Sequence, residues 1–301
     1  MQIVSISSLK GGVGKSSVVL GLASAALDAR IPTLVVDLDP HGDASTALGV
    51  HARAGHEVGT VLRRPRKGAL ASVAEASPWT THPITPDTST AGPRAWAPDA
   101  ARTTRVPVLD VAPGSAASSH LDHAAYRPKD LKRLETALRG LDRYELVLVD
   151  CPPTLSALTR MAWAASHKVL SVAEPSLFSV AGTKRTMSAL AQFESSRIWA
   201  VPEAGVVINR VRNASQEQQH RLRELRDLFG PLVVDPVLPD LPVVQQAQGA
   251  AWPVHRCPGA EAAEIAGRFT AVLEGAAETA GPFPEDELSA RRARRRTKNA
   301  G

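Results

Sequence analysis

The amino-acid sequence predicts an α/β protein with a mostly parallel, twisted sheet and helices on both faces. Short apolar runs alternate with segments of helical periodicity along most of the 301 residues, which is the order typical of a parallel sheet. Several of these runs are almost continuous Val, Leu and Ile, as expected of strands that are buried on both faces. A glycine-rich turn joins the first predicted strand to the first predicted helix.

The predicted strands begin at the N-terminus and recur through two thirds of the chain. They cover residues 3–7, 33–37, 107–111, 146–150, 169–173 and 205–209. The predicted helices 16–29 and 215–229 place Ala, Val and Leu side chains at helical spacing, as in packed amphipathic helices. Either Asn213 or Ser215 suits the N-cap of the second helix.

Composition predicts a single domain, residues 1–280, followed by a basic tail, residues 281–301. Within the domain, residues 77–105 are rich in Pro, Thr, Ala and Asp with little periodicity, which predicts a long surface loop. The tail has too few apolar residues to fold alone, and we expect it to be disordered. Residues 289–301 hold five arginines, one lysine and no acid, while the whole chain carries +5. The domain itself is therefore close to neutral.

Two absences limit the possible classes of protein. No apolar run is long enough to span a membrane, and the N-terminus lacks the pattern of an export signal, so we expect a cytoplasmic protein. The two cysteines, Cys151 and Cys257, supply neither a disulfide framework nor the ligands of a structural metal site.

Residues 10–17, with the sequence K-G-G-V-G-K-S-S, predict the phosphate cradle of a P-loop NTPase fold. Glycines let several backbone N–H groups converge on an anion at the N-terminus of a helix. Lys15 would then neutralise the β and γ phosphates of ATP, and the Ser16 hydroxyl would bind Mg²⁺. We assign ATP binding to the whole loop, which comprises Lys10, Gly11, Gly12, Val13, Gly14, Lys15, Ser16 and Ser17.

The loop departs from the ordinary pattern at its start, where Leu9 replaces a glycine and Lys10 adds a second lysine. In this it resembles the deviant Walker A motif of the ParA/MinD family, and the resemblance extends over residues 1–275. It implies a slow, partner-stimulated ATP hydrolase that forms an ATP-sandwich homodimer. In such a dimer Lys10 would reach the phosphates bound by the partner, so Lys10, Lys15 and Asp39 are the expected catalytic residues.

The same resemblance assigns roles to aspartates at the ends of two strands. Residues 37–43, D-L-D-P-H-G-D, resemble the family segment D-x-D-P-Q-x-N. The first aspartate, Asp37, would lie near Mg²⁺, and the second, Asp39, would orient the attacking water. His41 and Asp43 depart from the family pattern. In the alternative interpretation, Asp37 and Asp39 only end a strand and cap the next helix.

Residues 144–153, Y-E-L-V-L-V-D-C-P-P, resemble the family's Walker B strand. Asp150 would hold Mg²⁺ through water, together with Ser16 and Asp37. Asn209, at the end of the run V-V-I-N-R, would contact adenine, and Pro239 and Asp240 would form a second base-contacting loop. Asn209 could equally well only terminate a strand.

The resemblance leaves two functions open. One is a plasmid or chromosome partition ATPase that is nucleoid-associated, binds DNA nonspecifically and acts with a ParB-like partner. The other is a MinD-like or orphan ATPase that positions another cargo or regulates cell division. The tail lacks the apolar face of a membrane helix, whereas its arginines suit phosphate, so we expect DNA and no membrane. A merely solubilising tail is the alternative. The candidate DNA contacts are Lys184, Arg185, Arg210, Arg212, Arg221, Arg291, Arg292, Arg294, Arg295 and Arg296.

Overall fold

The computed structural model describes residues 1–81, 106–123, 126–195 and 203–276. Its strands are β1 (Gln2–Ser7), β2 (Thr33–Asp37), β3 (Glu75–Ala76), β4 (Leu109–Ala112), β5 (Leu146–Asp150), β6 (Lys168–Ala173), β7 (Glu203–Ile208) and β8 (Val233–Val234). Its helices are α1 (Lys15–Asp28), α2 (Asp43–Ala47), α3 (Val58–Arg63), α4 (Ser119–His123), α5 (Arg133–Leu138), α6 (Ala157–Ala165), α7 (Leu177–Ser195), α8 (Gln216–Phe229), α9 (Pro242–Gly249) and α10 (Ala260–Ala276).

The strands form one sheet in the order β3-β4-β2-β5-β1-β6-β7-β8. All neighbouring strands are parallel except the short edge strand β3, which is antiparallel to β4. Each of the six predicted strands overlaps an observed one, and their ends differ by at most two residues. The predicted fold class, a mostly parallel sheet with helices on both faces, is confirmed.

Alternation along the strands divides the core into two layers, one on each side of the sheet. In β5, Leu148 faces the layer that contains α1 and α10, while Val149 faces the layer that contains α3, α5 and α6. The helices α7 and α8 cover the β6–β7 end of the sheet around Val180 and Leu225. Every strand of the centre is therefore buried on both faces, which explains its continuous apolar sequence.

The start of the predicted surface loop, residues 77–105, is not a surface loop. Pro78–Thr81 form a single 3-10 turn, and Trp79 is buried in the α1 layer. The Trp79 carbonyl accepts a hydrogen bond of 2.6 Å from Arg256. The burial of this one aromatic side chain fixes the segment in the core. The average composition of residues 77–105 does not reveal a single buried residue. Residues 82–105 of this loop and the predicted tail, 281–301, lie outside the described residues.

Among the helices that the structure describes, none has the length and apolar content needed to cross a membrane.

We predict that Gly21→Ala destabilises the protein by about 1–3 kcal/mol, because α10 packs closely against α1 at this glycine. A Cβ on Gly21 would overlap the Phe269 ring. Gly267→Ala is the matched control, since Gly267 is an exposed glycine of α10 with no atom within 4 Å of the added Cβ. It should gain up to about 1 kcal/mol from helix propensity. Urea unfolding measures both changes, and equal stability of the two variants would contradict the prediction.

Candidate functional site

The loop between β1 and α1 has a backbone that requires glycine at two positions. Gly12 and Gly14 have φ angles of 81° and 88°, in the left-handed region. A Cβ on Gly14 would also overlap the amide of Asn209. Gly11 and Gly12 are exposed, whereas Val13 is buried beneath them. The loop therefore forms a cradle that is open to solvent and closed by protein on its inner side.

The first turn of α1 directs polar side chains to the end of β5. The Ser16 hydroxyl donates a hydrogen bond of 2.7 Å to Asp150 Oδ2. Lys15 is almost completely buried, and its charge acts on the same carboxylate. Ser17 lines a neighbouring cleft. Lys15 and Ser16 thus act on the Asp150 carboxylate, and Ser17 faces the neighbouring cleft.

Asp37 and Asp150 lie opposite each other in the β2–β5 register, and both are fully buried. Burial raises the pKa of the Asp150 carboxyl well above its usual range, and the charge of Asp37 adds to this shift. Lys15 and the Ser16 hydrogen bond oppose it. Within the described residues, Asp150 Oδ1 is buried without a hydrogen-bond partner.

The donor set around Asp150 fits Mg²⁺. Carboxylate and hydroxyl oxygens are the ligands that this ion prefers, directly or through its water molecules. A divalent cation would stabilise the ionised carboxylates that burial disfavours, and it would supply charge to orient and polarise phosphate oxygens. The unpartnered Asp150 Oδ1 and the Ser16 hydroxyl are the groups that would hold it.

Asp37 is held by the segment that follows it. Its Oδ1 accepts a bond of 3.1 Å from the Asp39 N–H, and its Oδ2 accepts bonds of 2.9 and 2.6 Å from the N–H and hydroxyl of Ser45. Burial raises the pKa of Asp37, and the bonds from Ser45 oppose the shift. Because Ser45 is in the first turn of α2, these contacts are the ones expected if Asp37 caps that helix. Ser45 is a residue of the site that was not predicted from the sequence.

Asp39 is buried at the start of the turn before α2. Its Oδ1 accepts a bond of 3.1 Å from the His41 N–H, while the side chains of His41 and Asp43 are exposed. Gly114 packs against the back of this turn, because a Cβ there would lie 2.6 Å from the Asp39 carbonyl oxygen. The side chains at the two positions that depart from the family pattern therefore face solvent, and His41 contacts Asp39 through its backbone N–H.

Lys10 forms an ion pair within its own chain. Its Nζ lies 3.0 Å from Glu174 Oε1, in the segment between β6 and α7. Its Cβ packs close to Gly182 of α7. Glu174 is a residue of the site that was not predicted from the sequence, although a polar residue just after a parallel strand lies at the edge of the sheet where ligands bind.

The residues predicted to contact the base line one cleft. Asn209, Pro239 and Asp240 are all at its wall, with Ser17 and Arg210. The Asn209 amide donates a bond of 3.0 Å to the Val13 carbonyl. Asp240 pairs with Arg212 at 2.6 Å. The cleft thus adjoins the cradle, and Asn209 connects the two.

The basic residues of the body that are predicted to bind DNA differ in their charged partners. Arg210 and Arg212 are beside the cleft, and Arg212 is paired with Asp240. On α8, Arg221 pairs with Glu217 and Glu224. Lys184 and Arg185 are exposed on α7. Arg212 and Arg221 thus have acidic partners, and DNA contact by these body residues stays a prediction. The tail residues Arg291, Arg292, Arg294, Arg295 and Arg296 lie outside the described residues.

A parallel sheet with a glycine cradle after β1 and a buried acid after β5 defines a P-loop NTPase. A family model described as an AAA domain matches residues 1–198, and the chain belongs to this family, among its ParA/MinD-type ATPases. Members of this type use ATP and Mg²⁺, which the donor set described above fits.

Similar proteins support the same assignment. The chromosome partitioning protein ParA of Caulobacter vibrioides is 27% identical over 270 residues, covering 87% of this chain and 91% of that protein. The ATP complex of a Cyanothece McdA variant has a TM-score of 0.73 at 14% identity and covers 94% of this chain and 98% of that one. MinD of Pyrococcus horikoshii with Mg-ADP has a TM-score of 0.64 at 21% identity and covers 91% of this chain and 95% of that one.

We predict that Asp150→Asn weakens Mg²⁺ binding about 10–100-fold and abolishes Mg²⁺-dependent ATP hydrolysis. Without nucleotide, the variant should melt at a higher temperature, because it no longer buries an ionisable carboxyl group. The expected increase is about 2–4 °C for each kcal/mol gained in the free energy of unfolding. Calorimetry measures the Mg²⁺ affinity, and thermal melting in EDTA measures the change in stability. Asp43→Asn, at an exposed aspartate nearby, should change neither. Unchanged Mg²⁺ affinity in Asp150→Asn would exclude this carboxylate from the metal site.

Proposed function

We propose that the protein is a ParA-like ATPase that forms an ATP-sandwich homodimer, binds DNA without sequence preference and drives plasmid or chromosome partition with a ParB-like partner. The observation that carries this proposal is Lys10, a second lysine at the entrance of the cradle. Its ammonium is held by Glu174 in the same chain. Because a single carboxylate holds this ammonium, a bound polyphosphate can replace that carboxylate as its partner.

The site geometry supports the chemistry that we propose within one protomer. Phosphoryl transfer depends on positioning and charge neutralisation rather than on covalent catalysis by the protein. Lys15, buried beside Asp150, would neutralise the terminal phosphates, and Asp39 would orient the attacking water. Asn209, Pro239 and Asp240 would enclose the base in their cleft. This division of roles needs no nucleophile from the chain.

The exposed surface beside Lys10 supports the proposal that a second copy of this chain binds there. Leu177 and Phe178 at the start of α7 are 54% and 74% exposed, three and four residues after Glu174. Exposed apolar side chains that lie together are typical of protein interfaces. In the dimer, Lys10 would leave Glu174 and contact the phosphates bound by the partner. The nucleotide would then be part of the interface, which makes dimerisation depend on ATP.

Two features support DNA as the surface on which this dimer acts. The domain is nearly neutral, whereas residues 289–301 concentrate five arginines and one lysine. Such a segment can neutralise phosphates regardless of base sequence. The relative from Caulobacter vibrioides is named as a chromosome partitioning protein. A partition ATPase of this kind would be nucleoid-associated in the cytoplasm and would answer to a ParB-like protein.

We predict that Lys10→Ala removes ATP-dependent dimerisation and leaves nucleotide binding by the monomer intact, because the proposed contact exists only across the interface. Light scattering with ATP measures assembly, and calorimetry measures binding. Lys184→Ala, at an exposed lysine of α7, is the control and should dimerise normally. ATP-induced dimers of Lys10→Ala with wild-type affinity would exclude the role proposed for Lys10.

We predict that deletion of residues 291–301 weakens DNA binding and makes the log-affinity versus log-salt slope shallower by about 5, since six positive charges are lost at about −0.9 each. The ATP-bound protein is titrated with DNA of random sequence at several salt concentrations. A tail of equal length with glutamine at these six positions controls for chain length and should match the deletion. An unchanged slope would place the DNA site on the body, and no DNA binding at all would favour another cargo.

A further inference from the structure

Two consecutive residues after β7 donate hydrogen bonds to two consecutive carbonyls of the cradle. The Asn209 amide bonds to the Val13 oxygen at 3.0 Å, and Arg210 Nη1 bonds to the Gly12 oxygen at 2.7 Å. The Arg210 guanidinium also lies against Gly14, with its Nε 3.6 Å from the position of an added Cβ. The cradle is therefore tied to β7 by side chains at both peptides.

These bonds determine the direction of the cradle's N–H groups. A trans peptide is planar, so its C=O and the N–H of the next residue point in opposite directions. A bond at the Gly12 carbonyl therefore turns the Val13 N–H away from Arg210, and a bond at the Val13 carbonyl turns the Gly14 N–H away from Asn209. In the part of the chain that the structure describes, neither N–H has an acceptor. Both donors are left for an anion.

The backbone of Arg210 has an unusual conformation. Its φ of 58° lies in the left-handed region, which is unfavourable for a residue with a side chain. The residues on either side are anchored, because the Asn209 N–H bonds to the Ala173 carbonyl at 2.7 Å and the Val211 N–H bonds to the Leu238 carbonyl at 3.0 Å. Such conformations persist where the surrounding structure determines them, and they cluster at functional sites.

We propose that Arg210 is a positioning residue of the phosphate cradle, which holds the Gly12 carbonyl so that the Val13 N–H faces the bound phosphate. This assignment rests on the proposed ATP site and replaces the DNA role predicted for Arg210. The residue acts through the loop and makes no contact with the base in this role. Its loss should therefore weaken every ligand that has a polyphosphate, whether or not a base is attached.

The test uses three variants of the full chain with Mg-ADP and with inorganic tripolyphosphate. Arg210→Met keeps an unbranched apolar stem but has no donor, and it should weaken both ligands about tenfold. Arg210→Lys restores a charged donor and should recover most of this loss. Arg210→Gly relieves the left-handed backbone, so it should melt no lower than the wild type while binding as weakly as Arg210→Met.

Calorimetry measures Mg-ADP affinity, and displacement of a fluorescent ADP analogue measures tripolyphosphate. Arg226→Met is the control, because Arg226 is an exposed arginine of α8 that is paired with Asp235. This variant should bind both ligands normally. If Arg210→Met weakens Mg-ADP alone, Arg210 acts on the base, and if it weakens neither ligand, the bond to Gly12 has no role; either result overturns the inference. Failure of the wild-type protein to bind Mg-ADP would instead reject the proposed function.

Discussion

Two buried carboxylates set the constraint on which the site depends. Asp37 and Asp150 end neighbouring strands in the same register and have no exposed surface. Burying a charge is costly unless it is paired and hydrogen-bonded. Ser16 and Lys15 of α1 serve Asp150, while Ser45 of α2 serves Asp37. The start of α1 and the start of α2 are thus both placed by the need to stabilise this pair.

The parts of the fold that the sequence predicts are those in which local pattern and tertiary environment agree. Central strands are buried on both faces, so their sequences are continuous apolar runs that are easily recognised. The edge strands β3 and β8 have two residues each and leave no such pattern. The glycines at 12 and 14 were identified because a phosphate cradle needs left-handed backbone at a known place in a strand-to-helix turn.

The features that escaped prediction depend on contacts between distant parts of the chain. Glu174 is 164 residues from Lys10, and Arg210 is 198 residues from Gly12. No local spacing relates such residues, so only the strand order brings them together. The same reason applies to the ion pair of Arg212: a sequence shows the charge of this arginine, but Asp240 becomes its neighbour only in the folded chain.

The ion pair between Lys10 and Glu174 has a thermodynamic consequence for assembly. Both side chains keep about a quarter of their surface exposed, at 27% and 23%, so the pair contributes at most about 1 kcal/mol. A dimer that recruits Lys10 from both protomers must break two such pairs, which raises its dissociation constant by up to about 30-fold. That factor is small beside the affinity of a protein interface. In the proposed dimer, Glu174 would therefore not forbid assembly; it would shift the protein concentration at which monomers give way to dimers.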